Sequence, residues 1–200
     1  MSLREWYQHL LSESLTVREE SGAPGNFIPC RVEVQQPLND WSYAWKLARL
    51  PGLGSEHITF LWRLVHNILP TKERVNRLTP ATPPLCKLCP TQCVETRRHA
   101  FFECAFNQEA GQALLRSLLL VDSQVTPDRV LRLELSLEDQ YQHPTIWYLA
   151  AVLLSIWKCR LQGRSARLYT TRAEVESKVA LLRETRYQSS ADIISEMLKW

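Results

Sequence analysis

Four metal-ligating side chains fall within nineteen residues, in the order Cys86-x2-Cys89-x9-His99-x4-Cys104, and nothing else in this 200-residue chain restricts its fold as tightly. A Cys-x2-Cys turn lets two thiolates converge on one metal, each sulfur about 2.3 Å from zinc. The second pair must come from an element that folds back across the ion. His99 and Cys104 are five residues apart, which is about 500° around an α-helix, so they do not share a helical face. Thr96 can cap a helix through His99. That helix is expected to end or distort before Cys104, with Ala105-Phe106-Asn107 as its exit. Four ligands complete a tetrahedron, which predicts one structural zinc with no open position for water. Cys93 lies inside the cluster and is the residue that can replace one of the four; we read it as a spare thiol. The competing reading, buried thiols beside a surface histidine, is disfavoured by the spacing.

Around the cluster the pattern is helical, with almost no strand signal and no internal repeat. A helix is expected over 3–20, then a Gly- and Pro-rich linker at 21–37 with a short strand at 31–34. Asp40 can cap a helix holding Trp41 and Trp45. Ser55 is expected to cap a helix over 56–69, with Ile58, Leu61, Trp62, Val65, Ile68 and Leu69 as its apolar stripe and Pro70 as its stop. Thr71 caps a short basic helix, Lys72 to Leu78. Further helices are predicted at 108–120, at 128–138 behind Thr126-Pro127, and from Pro144 to about Gln162 with Gly163 at its end. A last stretch capped by Thr171 follows, with an interruption near Ser189-Ser190. The fold class is mostly α: a helical bundle with a small zinc-clamped Cys-Cys-His-Cys loop. Three parts are expected: 1–38, an N-terminal helix and linker; 39–110, the zinc-binding domain; and 111–200, a C-terminal helical region.

Hydrophobic residues make up 45% of the chain, enough for a core. The apolar run from Ile146 to Trp157 is too short to span a bilayer, and Met1 to Glu5 holds no hydrophobic signal core. The chain therefore reads as cytoplasmic or nuclear, where cysteines are metal ligands or buried thiols more often than disulfides. Cys30 and Cys159 lie outside the cluster, and Cys159 reads as a core thiol. Residues 41–104 hold nine Lys/Arg against four Asp/Glu, a local balance of +5 within a chain of net charge +3. The Cys-rich part is the basic part, which leans toward a polyanionic partner. Phosphate-loop, nucleophile-elbow and His-Glu-x-x-His patterns are missing, the acidic pairs Glu19-Glu20 and Glu138-Asp139 read as surface charge, and the single His9, His57, His66 and His143 read as surface or packed side chains. No catalytic residue is assigned, and the chain is not expected to be an enzyme or to take a small-molecule substrate.

The ordered features Trp41, Trp45-Lys46, Phe60-Leu61-Trp62-Arg63-Leu64, His66-Asn67-Ile68-Leu69-Pro70-Thr71-Lys72, Cys86-x2-Cys89 and Glu95-Thr96-x2-His99-x-Phe101-Phe102-x-Cys104 support a name. Residues 41–106 resemble the zinc-binding region at the C-terminal end of LINE-type (non-LTR) retrotransposon reverse transcriptases. Ile156-Trp157-Lys158-x-Arg160 looks like a helix that often follows this region. Proteins of that family carry endonuclease and polymerase domains, and no Tyr/Phe-x-Asp-Asp polymerase motif occurs here. The resemblance therefore implies a fragment, a remnant or a domesticated tail. It also implies an accessory role: holding template RNA or target DNA during target-primed reverse transcription.

On that reading the nucleic-acid contacts are Arg63, Lys72, Arg74, Arg77, Lys87, Arg97 and Arg98, mainly through phosphate neutralisation. Lys158, Arg160, Arg164, Arg167 and Arg172 form a second basic run. Trp41, Trp45, Phe60 and Trp62 are expected in the core, and Phe101 and Phe102 are expected to split, one inward and one outward. The alternative is a structural or protein-interaction helical domain in which zinc only staples the fold. Its partner, a reverse transcriptase core or another protein, would dock on the apolar 145–160 helix.

Overall fold

The first described helix shows how local chemistry sets an element's limits. In the computed structural model, which describes residues 53–137, 139–183 and 188–199, helix α1 spans Ser55–Val65. Gly54, extended at φ −70° and ψ 160°, is its N-cap and no side chain caps it, so Ser55 sits inside the first turn and is not the cap. The end also comes before the expected Leu69. Asn67 adopts a left-handed φ of 52°. Its N–H donates to Leu64 O at 3.1 Å, and Ile68 N–H donates to Arg63 O at 2.9 Å. This paired closure satisfies the last carbonyls of the helix, and Asn tolerates the left-handed region better than most residues.

Helix α2, Lys72–Leu78, begins as its sequence predicts, with Thr71 Oγ1 accepting from Arg74 N–H at 3.3 Å. Helix α3 is Gln108–Leu118. Helix α4, Pro127–Arg132, has the Thr126 cap but is shorter than the expected 128–138. Leu133 turns left-handed at φ 57°, and Glu134 N–H closes onto Arg129 O at 2.9 Å. Helix α5, Asp139–Leu161, starts before Pro144 and contains it, although a proline there removes one intrahelical N–H bond and crowds the carbonyl four residues back. Gly163, at φ 67°, ends it as predicted. Helices α6, Leu168–Arg183, and α7, Gln188–Met197, complete the order. Thr171 is not a cap: it is buried within α6 and its hydroxyl donates to Arg167 O at 3.2 Å. The expected helices over 3–20 and behind Asp40, and the linker between them, lie outside the described residues.

All described residues belong to one contact unit, 32–200, and α3 runs across position 110. The core forms around α5, where every residue from Ile146 to Trp157 is buried. It packs against α1, α3, α6, α7 and the turn that carries His99. A helix apolar on all sides is an interior helix. The reading of the 145–160 helix as an outward protein-docking face is therefore overturned. Among the polar groups it carries inside, Tyr148 Oη donates to Ser117 Oγ at 3.1 Å.

Asp122, 5% exposed, anchors the return from α3 to α5. It accepts N–H bonds from Gln124 at 2.9 Å and Ser136 at 3.0 Å and pairs with Arg129 at 3.2 Å. Burial pushes its carboxyl up, but those N–H groups and the guanidinium outweigh burial and hold it below the usual range. An unfolded aspartate titrates near about 3.9, so between that pH and the lower folded value the unfolded chain binds the extra proton. Asp122 thus stabilises fully above about pH 3.9 and loses its contribution as pH falls through the folded pKa. Asp122→Asn is expected to flatten this acid limb, which urea midpoints measured from neutral to acid pH will show.

Gly111 permits a close backbone approach in the core. A Cβ there would lie 2.3 Å from Phe101 O and 3.0 Å from Phe102 Cδ1. Because the first obstacle is backbone, Gly111→Ala is expected to destabilise by about 1–3 kcal/mol through overpacking. Urea unfolding checks it; an unchanged midpoint contradicts the packing described.

Candidate metal centre

A small hairpin presents the first two ligands. Leu85 and Val94 form an antiparallel bridge, Cys86 N–H donates to Cys93 O at 2.8 Å, and Glu95 N–H donates to Pro84 O at 2.9 Å. Beyond the Cys86–Cys93 rung the Cys86-x2-Cys89 turn closes with Gln92 at φ 47°, its N–H on Cys89 O at 3.2 Å. Cys93 therefore takes part through its carbonyl, and its exposed thiol stands beside Thr91 Oγ1 at 3.2 Å.

The second pair arrives on a widened turn. Thr96 Oγ1 accepts from His99 N–H at 3.0 Å, the cap foreseen from sequence. The helix then opens into a π-turn over His99–Glu103, where Cys104 N–H donates to His99 O at 2.8 Å. Bonding from i to i+5 stacks residues five apart above one another, which an α-helix cannot do. The distortion expected before Cys104 takes this form. Cys104 itself is extended at φ −64° and ψ 126°, and the chain leaves through turns at 105–107. Asn107, fully buried, ties this exit down: its Nδ2 donates to Ala100 O at 2.8 Å and its Oδ1 accepts from Ala166 N–H at 3.3 Å.

Cys86, Cys89, His99 and Cys104 are all buried, and their ligand atoms lie within 4.8 Å of one another. Cys86 Sγ is 3.9 Å from Cys104 Sγ, and Cys89 Sγ is 3.6 Å from His99 Nε2. Two sulfurs bound to one tetrahedral zinc stand about 3.7 Å apart, given bonds of about 2.3 Å. A disulfide would need about 2.05 Å. The donor set fits a zinc ion on distance, burial and chemistry. Burial pushes the Cys104 thiol up to about 12 and raises Cys86. Cys89 goes the other way: burial raises it, but the Thr91 hydroxyl and the Cys93 amide outweigh burial. Backbone amides of Leu88 and Cys89 face Cys86, and that of Phe106 faces Cys104. These amides are placed to support thiolates once a cation takes the protons' place.

Glu95, quoted from sequence without a role, and Arg160, read there as part of the second basic run but paired inside the fold, hold this hairpin to the helices. Glu95, 3% exposed, accepts Lys72 N–H at 2.9 Å, adding a second cap to α2, and pairs with Arg160 of α5. The Arg160 guanidinium lies 4.4 Å over Trp157. Trp157 stacks on Phe101 at 5.8 Å, and Phe101 meets Phe60 edge-on at 6.2 Å. Phe101 and Phe102 are both buried, at 0% and 2%; the expected split fails because α3 and α5 cover the whole turn.

The seven basic residues proposed from sequence separate into groups. Arg63 and Lys87 are exposed and Lys72 half-buried, with no side-chain partner among the described residues. Arg77 pairs with Glu73 at 2.5 Å, and Arg98 pairs with Glu103 at 2.6 Å and Asp128 at 3.1 Å. Arg74 donates to Asn67 O at 2.7 Å and Arg97 to Leu64 O at 2.8 Å. Both thus serve the carbonyl end of α1, where cations are favoured. Burial lowers the Arg97 pKa, with Arg132 adding repulsion. In the second run, Lys158 pairs with Glu56 and Arg172 with Glu176, each at 2.8 Å.

A closed three-cysteine, one-histidine cluster on a hairpin and a helical turn defines a zinc-binding domain. Residues 30–110 match the protein family described as zinc-binding in reverse transcriptase, and this region of the chain is such a domain. No curated protein and no solved structure matches the chain.

Protein purified without added metal is expected to carry about one equivalent of zinc, the stoichiometry of a four-ligand site. Cys86→Ser should lose it and Cys93→Ser keep it, by elemental analysis. Because Phe101 and Phe102 lie between two ligands, chelation should also lower amide protection in α5. Loss of protection confined to 84–104 would contradict that coupling.

Proposed function

We propose that the chain is a non-catalytic, zinc-stabilised nucleic-acid-binding accessory module of a LINE-type (non-LTR) retrotransposon reverse transcriptase, taking template RNA or target DNA. The observation that carries the reading is the metal cluster's place within a region that matches the reverse-transcriptase zinc-binding family. The same region holds most of the chain's excess positive charge. Zinc fixes the hairpin and with it the approach of Lys87 to a phosphate backbone; Arg63 and Lys72 extend the basic surface along α1 and α2. No helix among the described residues is long and apolar enough to cross a membrane.

One observation favours the alternative, a structural or protein-interaction domain that zinc only staples. Arg74 and Arg97 are committed to backbone carbonyls, and Arg77 and Arg98 to carboxylates. The decisive residues are therefore the uncommitted ones. The zinc-loaded chain is expected to shift single-stranded RNA and duplex DNA at about 50 mM salt, where phosphate contacts are strong, and to do so less after chelation. Lys72→Ala with Lys87→Ala should lower the salt slope by roughly 0.7–0.9 per lost contact without changing zinc content. Failure of the wild-type chain to bind either nucleic acid hands the case to the alternative.

A further inference from the structure

Helix α1 buries Phe60, Leu61 and Leu64 and leaves Trp62 38% exposed. Core packing accounts for the first three and not for Trp62, against the expectation that all the aromatics of this segment point inward. The indole is not loose. Its ring rests against His66 at 4.6 Å between centroids, and His66 is itself only 8% exposed. The two rings are tilted by 47°, so the imidazole braces the indole from the side, and burial lowers the His66 pKa, which favours its uncharged form. Arg63, the next residue, is exposed and has no side-chain partner among the described residues. The one acid of the helix, Glu56, is held by Lys158 at 2.8 Å. The outer face of α1 thus offers a braced aromatic plane beside an uncommitted guanidinium.

We infer that this face is a single-strand subsite, in which Trp62 stacks an unpaired base and Arg63 neutralises the adjoining phosphate. The inference rests on the nucleic-acid reading above and narrows it to unpaired nucleotides. A stacked base contributes through its π-face and is indifferent to sequence, whereas an arginine on phosphate contributes through counterion release. The two residues therefore have separable signatures. A duplex keeps its bases stacked internally and cannot use the indole.

The test is fluorescence anisotropy with labelled oligouridylate, oligothymidylate and a duplex of equal length, using the full zinc-loaded chain across a salt series. Trp62→Leu keeps an apolar cover over His66 and removes the aromatic plane; Trp62→Phe keeps a smaller plane. Trp62→Leu is expected to weaken single-strand binding by about tenfold, within the range of one stacked base, with an unchanged salt slope and unchanged duplex binding. Trp62→Phe should restore most of it. Arg63→Ala should instead reduce the single-strand slope by about 0.7. Zinc content and urea midpoint are measured for each variant, so that a folding defect registers as such. Equal single-strand binding by wild type and Trp62→Leu, or an equal loss on the duplex, overturns the subsite while leaving the broader reading intact. Absence of binding by the wild type to any of the three probes overturns both.

Discussion

The hydrogen bond from Cys104 N–H to His99 O is the constraint on which the rest of the structure hangs. A tetrahedral ion needs both residues on one side of their segment, and an α-helix spaced five apart places them on different sides. The wider turn resolves the conflict and rotates the residues between the two ligands. That rotation sends Phe101 and Phe102 into the core, where α5 and α3 meet them. It also brings the Phe101 carbonyl so near α3 that only glycine fits at position 111. A metal requirement and a packing requirement are thus met by the same five residues.

The hairpin is bound to the bundle by a different kind of force. Glu95 and Arg160 form a buried ion pair whose members also serve as a helix cap and as a cation over an indole. Buried pairs of this kind add little net stability, because desolvation offsets attraction, but losing one partner strands a charge at a cost of about 3–5 kcal/mol. The pair therefore acts as a register pin more than as a source of stability. It lets the metal loop seat in one position on α5.

The parts of this architecture legible in the sequence were those set by local chemistry. The convergence of Cys86, Cys89, His99 and Cys104 followed from spacing, Thr71, Thr126 and Thr96 from their capping position, and Gly163 from its freedom at positive φ. Ser55 and Thr171 misled because a hydroxyl at the right place caps only if the flanking backbone leaves it there. The early ends of α1 and α4 depend on Asn67 and Leu133 turning left-handed, and leucine carries no such signal. The burial of α5 on all sides was hidden because its composition suits an interface and an interior equally. Glu95 and Arg160 lie 65 residues apart, and only the assembled fold reveals that they meet. The roles of Arg74 and Arg97 were hidden for the same reason, since their partners are carbonyls that every residue possesses.

The hairpin has a consequence for how the domain can vary in length. Cys86 and Cys93 are paired through their backbones, as are Pro84 and Glu95, and Glu95 stands four residues before a ligand with its carboxylate committed to two helices. Adding or removing a residue between Glu95 and Cys104 would break the alignment of the metal, the ion pair and the core at once. The exposed tip at 90–92 is bound to the metal side as well, through Thr91 Oγ1 on Cys89 Sγ at 3.5 Å and Gln92 N–H on Cys89 O at 3.2 Å. Length variation in related domains should therefore gather outside the hairpin, as at the exposed 79–81 stretch that leads into it, where exposed backbone tolerates insertion, and that stretch is the natural place to graft a foreign peptide or a reporter without disturbing the metal.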